Sequence, residues 1–157
     1  MPTSVLFVCL GNICRSPLAE GVFRHLVQEQ CPSSDYTIDS AGTGGWHAGS
    51  QPHEGSIDIA EKHGIDISGQ QSRQVLAKEL SKWDWVIAMD NANRNNLLRI
   101  GADPNKTKLL LSFIPPGYNR EVPDPYYDGG FDRVYELIEQ GCSYLLDFLE
   151  SENDTLT

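Results

Sequence analysis

The chain lacks several features that would place it in a class at once. Among its 157 residues no apolar run approaches the ~18 of a membrane-spanning helix, and residues 1–4 (MPTS) contain neither a basic region nor a cleavage site. The four cysteines stand at positions 9, 14, 31 and 142, which is not the paired Cys-x-x-Cys spacing of a zinc site. We therefore expect a cytoplasmic protein that has no membrane association, no metal and no cofactor.

Basic residues are also scarce, with 12 Lys and Arg against 22 Asp and Glu and a formal net charge of -10. An excess of acid argues against nucleic acid or an anionic membrane as a broad partner, because any cationic surface must be local. No Gly-x4-Gly-Lys-Ser/Thr motif occurs, which excludes a nucleotide-hydrolysing P-loop. Recognition of an anionic substrate is therefore expected to depend on a pocket.

Short apolar segments alternate with amphipathic ones, a pattern that predicts parallel strands joined by helices. The predicted strands are 5–8, 36–41, 83–89 and 107–111. The predicted helices are 17–30, 53–64, 91–100 and 131–150, with a proline-rich loop at 112–129. We expect an α/β fold, a doubly wound sandwich whose four-stranded parallel sheet has helices on both faces. Residues 1–150 form one domain in this prediction, and 151–157 a polar C-terminal tail.

The turn after the first strand, residues 9–16, is typical of an oxyanion site. In doubly wound sheets ligands bind beyond the carboxyl ends of the strands, where backbone N–H groups and a helix N-terminus attract anions. We predict that Gly11 adopts a positive φ in this turn, that Ser16 caps the following helix, and that Pro17 occupies the first helical position.

Cys9 and Arg15 supply the chemistry of this turn. A guanidinium can hold two oxygens of a tetrahedral anion with its planar fork. A thiol near a helix N-terminus and a cation is expected to ionise near neutral pH and to act as a nucleophile. We therefore predict a thiolate that faces a bound oxyanion.

The Cys-x5-Arg-Ser spacing within VCLGNICRSP, together with DPYYD at 124–128, makes the chain resemble the low-molecular-weight protein tyrosine phosphatases. The resemblance covers nearly the whole chain and includes the SAGT segment with Trp46, the His63-Gly64-Ile65 and Arg73-Gln74 pieces, and Met89-Asp90. It implies a phosphatase that needs no metal and acts on phosphotyrosine proteins or small aryl phosphates. Inorganic phosphate would be its product and inhibitor.

The resemblance also implies roles for individual residues. Cys9 would form a phosphocysteine intermediate, Arg15 would bind phosphate, and Asp124 would be the general acid. The expected substrate-binding residues are Leu10, Gly11, Asn12, Ile13, Cys14, Ser16, Trp46, Tyr126 and Tyr127, and Ser40 would support the loop from behind. The segment 66–71 lacks a histidine that several members of the family place there to support Asn12.

Two other functions fit parts of the pattern. An arsenate reductase shares the fold and the anion turn, but it usually has a further cysteine pair in mid-chain, and residues 70–100 contain none. A non-catalytic phosphotyrosine-binding module would keep Arg15 but would need neither Cys9 nor Asp124. Cys14 is either a packing residue or the partner that forms a disulfide with oxidised Cys9.

Overall fold

The computed structural model describes residues 2–116 and 120–155, and it shows one parallel four-stranded sheet. The strands are β1 (Thr3–Cys9), β2 (Tyr36–Gly42), β3 (Trp85–Ala88) and β4 (Thr107–Leu109), in the order β2-β1-β3-β4. All three pairings are parallel, which confirms the predicted fold class. Strand β1 is central, and its carboxyl end at Cys9 lies where the chain order reverses between β2 and β3.

In residues 2–116 and 120–155, five α-helices pack around the sheet: α1 (Arg15–Gln30), α2 (Glu54–Lys62), α3 (Asn91–Arg99), α4 (Pro125–Asp128) and α5 (Phe131–Thr155). Two 3-10 segments, Ala77–Lys82 and Leu110–Phe113, complete the described elements.

Alternate residues of β1 face two separate cores. Phe7 belongs to the core formed with α1, α2 and α5, whereas Leu6 and Val8 belong to the core formed with α3 and Ala77–Lys82. The near-continuous apolar run of β1 follows from this burial on both faces, as expected for the central strand of a parallel sheet.

Several predicted boundaries were wrong. Helix α1 begins at Arg15, with Cys14 as its N-cap residue, so Ser16 is not the cap. Helix α4 lies inside the segment predicted as a loop, and β3 begins two residues later and ends one residue earlier than the predicted strand 83–89. Helix α5 continues to Thr155 instead of ending at residue 150, and Thr3 Oγ1 donates to Asn153 Oδ1 at 3.2 Å. The predicted polar tail is therefore helical as far as the structure describes it.

No helix in the described part of the chain is both long and apolar enough to cross a membrane.

Candidate active site

A cleft of about 260 Å³ opens at the carboxyl end of β1. Its walls contain Cys9, Leu10, Gly11, Ile13, Cys14, Arg15, Trp46, His47, Asp124 and Tyr126. Most of the predicted site residues therefore meet in one place, although Asp124 is more than a hundred positions from Cys9. Asn12, Ser16 and Ser40 lie behind the cleft wall, and the side chain of Tyr127 is outside the described part of the structure.

Residues 9–16 are called the anion loop below, and most of their carbonyl groups are bound by other parts of the protein. Five of these carbonyls accept hydrogen bonds from groups outside the loop. The pairs are Cys9 O with Thr43 N (2.9 Å), Leu10 O with Gly44 N (2.9 Å), Gly11 O with Ser72 Oγ (2.9 Å), Ile13 O with His53 N (2.6 Å) and Cys14 O with Ser56 Oγ (3.0 Å). In a trans peptide the next N–H points opposite to the carbonyl. The loop therefore directs its N–H groups inward, where they form an anion-binding nest.

Asn12, and not Gly11, adopts the left-handed conformation of the anion loop, with φ 56°. The prediction for Gly11 was wrong, and a Cβ at this position would make a close contact of 3.0 Å with the side-chain atom His47 Cδ2. Gly42 is required to be small, because a Cβ on it would lie 2.8 Å from Leu10 O. Close backbone packing of β2 against the anion loop thus fixes the loop's path.

Arg15 is held at the floor of the cleft by one of its terminal nitrogens. Its Nη1 donates to Asp90 Oδ2 at 2.6 Å and to Val122 O at 3.0 Å, while Nη2 lies 3.6 Å from Asp124 Oδ2. Within the described residues, Arg15 Nε is buried and has no hydrogen-bond partner. Nε and Nη2 therefore remain as a fork that can bind two oxygens of one anion.

Cys9 is 2% exposed and lies beneath the nest, with its Sγ 3.0 Å from Ser16 Oγ. Ser16 therefore contacts the predicted nucleophile rather than capping α1. Asn12 Nδ2 donates to Ser16 Oγ at 2.8 Å and to Ser40 Oγ at 3.0 Å. The serines and the asparagine thus form a buried polar layer behind the sulfur.

Asp124 stands at the opposite side of the cleft, where it begins α4. Its Oδ1 accepts the N–H of Tyr126 at 3.0 Å, and this bond fixes the carboxyl group while Oδ2 faces Arg15. The side chain is 31% exposed, so the group can exchange protons with solvent. A carboxyl group in this position can deliver a proton to a leaving group above the anion loop.

Cys14 lines the cleft as a second thiol of the anion loop. Burial, together with the charges of Cys9 and Asp124, raises the pKa of Cys14 to about 12, although Arg15 opposes the rise. Cys14 is therefore a neutral thiol near pH 7.

Aromatic side chains form the mouth of the cleft. Trp46 is 73% exposed and Tyr126 is 43% exposed, and the ring of His47 lies 6.0 Å from that of Tyr126. The ring of His53 stacks on Phe131 at 5.1 Å and meets Tyr126 edge-on at 5.9 Å. A flat aromatic group can therefore enter between apolar walls.

Several residues that matter to this geometry were given no role by the sequence. Asp90 was part of a recognised piece, yet nothing local indicated that it would bind Arg15. Arg73 N donates to Asn12 Oδ1 at 3.0 Å, and Ser72 Oγ donates to Gly11 O at 2.9 Å, so this segment supports Gly11 and Asn12. A polar residue just after a buried strand was the available signal for Asp90, since such ends share one edge of the sheet.

The chain is similar to known proteins over nearly its whole length. A family model described as low molecular weight phosphotyrosine protein phosphatase matches residues 4–155. The low molecular weight protein-tyrosine-phosphatase YfkJ of Bacillus subtilis is 44% identical over 151 residues, which cover 95% of this chain and 97% of that protein.

Solved structures of similar proteins have the same fold. The crystal structure of YfkJ from Bacillus subtilis superposes with a TM-score of 0.92 at 43% identity, covering 97% of each chain. A protein tyrosine phosphatase from Entamoeba histolytica superposes with a TM-score of 0.88 at 36% identity, covering 96% of this chain and 99% of that one.

Proposed function

Because the chain belongs to the low molecular weight phosphotyrosine protein phosphatase family, we propose that Cys9, Arg15 and Asp124 are its catalytic residues. The protein is a cysteine-dependent tyrosine phosphatase that hydrolyses phosphotyrosine through a phosphocysteine intermediate. The family does not by itself assign the roles of residues in this chain, and the geometry of the cleft supports the assignment.

The proposal rests on how the hydrogen-bond donors of Arg15 are shared between the protein and the cleft. Asp90 and Val122 hold Nη1, so the buried Nε and the neighbouring Nη2 remain to bind an anion. Together with the inward N–H groups of the anion loop, they would surround three equatorial oxygens of a phosphoryl group. Charge that develops on those oxygens in the transition state is stabilised by donors already in position.

The reaction then needs two proton transfers. The sulfur of Cys9 attacks phosphorus in line with the departing phenol oxygen, and Asp124 gives that oxygen its proton. In the second step the carboxylate of Asp124 takes a proton from the attacking water, phosphate forms, and the P–S bond breaks to return the Cys9 thiolate. One group serves first as acid and then as base.

The shape of the cleft supports aryl esters as substrates. Cys9 lies deep below the aromatic mouth, so a phosphorylated group must be long and flat to reach it. We therefore propose small aryl phosphates as additional substrates and inorganic phosphate as a product that inhibits by occupying the nest. We propose a cytoplasmic location, because all four cysteines are free and the nucleophile must stay reduced.

The assignment of Cys9 is tested by Cys9→Ser. Turnover of phosphotyrosine peptides should disappear, because a serine hydroxyl is not ionised near neutral pH, whereas binding of phosphate or vanadate should persist through Arg15 and the loop N–H groups. Calorimetry measures the binding, and phosphate release measures the turnover. Cys31→Ser, at a half-buried site outside the cleft, is the matched control and should keep full activity. Turnover by Cys9→Ser at a few per cent of the wild-type rate would refute the nucleophile.

A further inference from the structure

A buried carboxylate outside the cleft is connected to the nucleophile. Glu20, on α1, is only 7% exposed and does not belong to the cleft walls. Its Oε1 accepts a hydrogen bond from Ser40 Oγ at 2.7 Å, and its Oε2 accepts one from Arg24 Nη2 at 3.0 Å. Ionisable groups are rarely buried to this extent unless they are paired.

The bond to Glu20 determines the direction of the Ser40 hydroxyl. A serine hydroxyl has one proton to donate and two lone pairs that accept. Because the Ser40 proton points to the carboxylate, the oxygen presents its lone pairs to Asn12, and Asn12 Nδ2 donates to it at 3.0 Å. The carboxylate therefore selects the amino group of Asn12, and not its carbonyl, as the neighbour of Ser40.

Asn12 in turn determines the direction of the hydrogen bond to Ser16. Its Oδ1 accepts from Arg73 N at 3.0 Å, which fixes the amide against a flip, and its second amino proton goes to Ser16 Oγ at 2.8 Å. The Ser16 oxygen is thereby an acceptor for Asn12, so its own proton is free for another partner. Cys9 Sγ at 3.0 Å is nearer to it than Ala41 O at 3.4 Å.

We infer that Glu20 is a positioning residue for the phosphatase reaction: its carboxylate orders the chain Ser40–Asn12–Ser16 so that the Ser16 hydroxyl donates to the sulfur of Cys9. The inference rests on the proposed role of Cys9 as nucleophile. A donor beside the sulfur stabilises the thiolate, which is the group that leaves when water attacks the phosphocysteine. The effect of Glu20 therefore falls mainly on hydrolysis of the intermediate.

Glu20→Gln tests this inference, because a glutamine amide can turn its NH2 toward Ser40, and the Ser40 hydroxyl then loses the acceptor that orders it. With p-nitrophenyl phosphate, kcat should fall roughly tenfold, the usual effect of losing a hydrogen bond to a charged group. A pre-steady-state burst of p-nitrophenol should rise toward one per enzyme, because the intermediate accumulates. Competitive inhibition by inorganic phosphate should change by less than about twofold, since the nest and Arg15 are untouched.

Three further variants make the result specific. Ser40→Ala should give the same burst, and the double variant should lose no more than either single one, because both changes break one chain. Ser40→Ala also serves as the test if Glu20→Gln fails to fold. Glu29→Gln removes an exposed carboxylate from the same helix and should behave as wild type.

Some outcomes would overturn the role of Glu20 without affecting the proposed phosphatase mechanism. An unchanged kcat, or a loss of phosphate binding that parallels the loss of kcat without a burst, would overturn the role of Glu20. Additive losses in the double variant would overturn it as well. If Cys9→Ser is inactive while these results are obtained, the phosphatase mechanism stands and only the role of Glu20 falls.

Discussion

Arg15 divides its donors between the fold and the substrate. Burial lowers the pKa of Arg15, but the negative charges of Cys9, Asp90 and Asp124 raise it by more than burial lowers it. The pKa of Arg15 therefore lies above its ordinary value, and the group stays cationic. Asp90 also caps α3 by accepting Asn93 N at 2.8 Å, so the position of the guanidinium depends on a helix from the opposite face of the sheet. A lysine would keep the charge but could not both bind Asp90 and offer a fork.

The acid role of Asp124 predicts a dependence on the leaving group. Asp124→Asn should lower the rate of the phosphorylation step by roughly 10²- to 10⁴-fold for phenols of high pKa, because these depart poorly without a proton. Activated aryl esters should lose much less in that step. Single-turnover measurements across a series of substituted phenyl phosphates would isolate it from hydrolysis of the intermediate.

Asp128→Asn is the matched control for that series, since Asp128 belongs to α4 but does not line the cleft. It should retain the wild-type dependence on the leaving group. A loss in Asp124→Asn that is equal for all leaving groups would remove Asp124 from the acid role.

A second prediction at this scale concerns oxidation of the anion loop. Peroxide converts the Cys9 thiolate to a sulfenic acid, and the Cys14 thiol then attacks that sulfur, forming a disulfide and releasing water. The raised pKa of Cys14 keeps its thiol protonated near neutral pH, so disulfide formation should quicken as the pH rises. After peroxide, dithiothreitol should restore activity in the wild type and not in Cys14→Ser.

Recovery of activity by phosphate release, with peptide mapping by mass spectrometry, would measure this outcome, and Cys31→Ser should recover as the wild type does. Equal recovery in Cys14→Ser, or a disulfide from Cys9 to Cys31 or Cys142, would show that Cys14 is a packing residue.

The sequence predicted those site residues whose signal is local. Cys9, Arg15 and the turn between them stand within seven positions, so strand, turn and helix start could be recognised together. Asp90 lies 75 positions from Arg15, and Glu20 reaches Cys9 only through Ser40 on another strand. No single-sequence pattern contains such pairings. The assignment of positive φ to Gly11 failed because Asn also tolerates that conformation, and here Asn12 adopts it.

At the scale of elements, Arg73 connects the 3-10 segment Ala77–Lys82 to the anion loop. Glu79 accepts a hydrogen bond from each terminal nitrogen of Arg73, both at 2.8 Å. Arg73 Nη2 also donates to Asp39 Oδ2 on β2 at 3.1 Å. The backbone of the same arginine holds Asn12. A surface segment on one face of the sheet thereby supports the loop that binds the anion.

Glu79→Gln should therefore destabilise the protein in a way that depends on pH. Burial raises the pKa of Glu79, but hydrogen bonds from Arg73, Leu76 and Trp83 lower it more, from its ordinary 4.5 to about 2. A carboxyl group with a lowered folded-state pKa stabilises the fold above about pH 4.5, and this contribution is lost as the pH falls toward 2. We expect a loss of about 1–2 kcal/mol at neutral pH.

Urea unfolding of wild type and variant, at neutral pH and at acid pH, measures this difference in the free energy of unfolding. The difference should shrink as the pH falls through that window. Glu61→Gln, an exposed change on α2, should show little difference at either pH. A difference that is constant with pH would mean that Glu79 acts through packing and not through its charge.

The elements themselves were predictable to different degrees. Strand β1 and helix α1 were located because a buried apolar run and a one-sided stripe differ in period. Helix α4 was missed because its four residues lie in a proline-rich segment, where only the cap by Asp124 marks the start. The end of α5 was missed because residues 151–155 are all polar, so the sequence has no apolar stripe there that would indicate a helix.

At the scale of the whole molecule, the protein has a formal net charge of -10, although its proposed active site binds an anion. Repulsion of an anionic substrate acts over distances of about a Debye length, roughly 10 Å at 0.1 M salt, whereas Arg15 and the nest act only on contact. Flanking charge on a peptide therefore affects encounter with the enzyme more than it affects the chemical step.

We expect salt to change kcat/KM in opposite directions for two phosphotyrosine peptides that differ only in flanking charge. For lysine-flanked peptides kcat/KM should fall a few-fold as salt rises from about 0.02 to 0.2 M, because attraction is screened, and for glutamate-flanked peptides it should rise. Phenyl phosphate, which has no flanks, corrects for competition by the salt anion. The same salt response in both peptides would show that the global charge does not act on encounter.

The outward carbonyls of the anion loop have a consequence for inhibitors. Five of these carbonyls are bound to the rest of the protein, so the conformation of the anion loop does not depend on a ligand. A tetrahedral dianion that binds there therefore loses little free energy to ordering of the loop. Vanadate, arsenate or a phosphonate would fit for the same geometric reason, so potency gained there carries no selectivity. A selective compound must obtain its preference at the mouth, from groups shaped to Trp46, His47 and Tyr126.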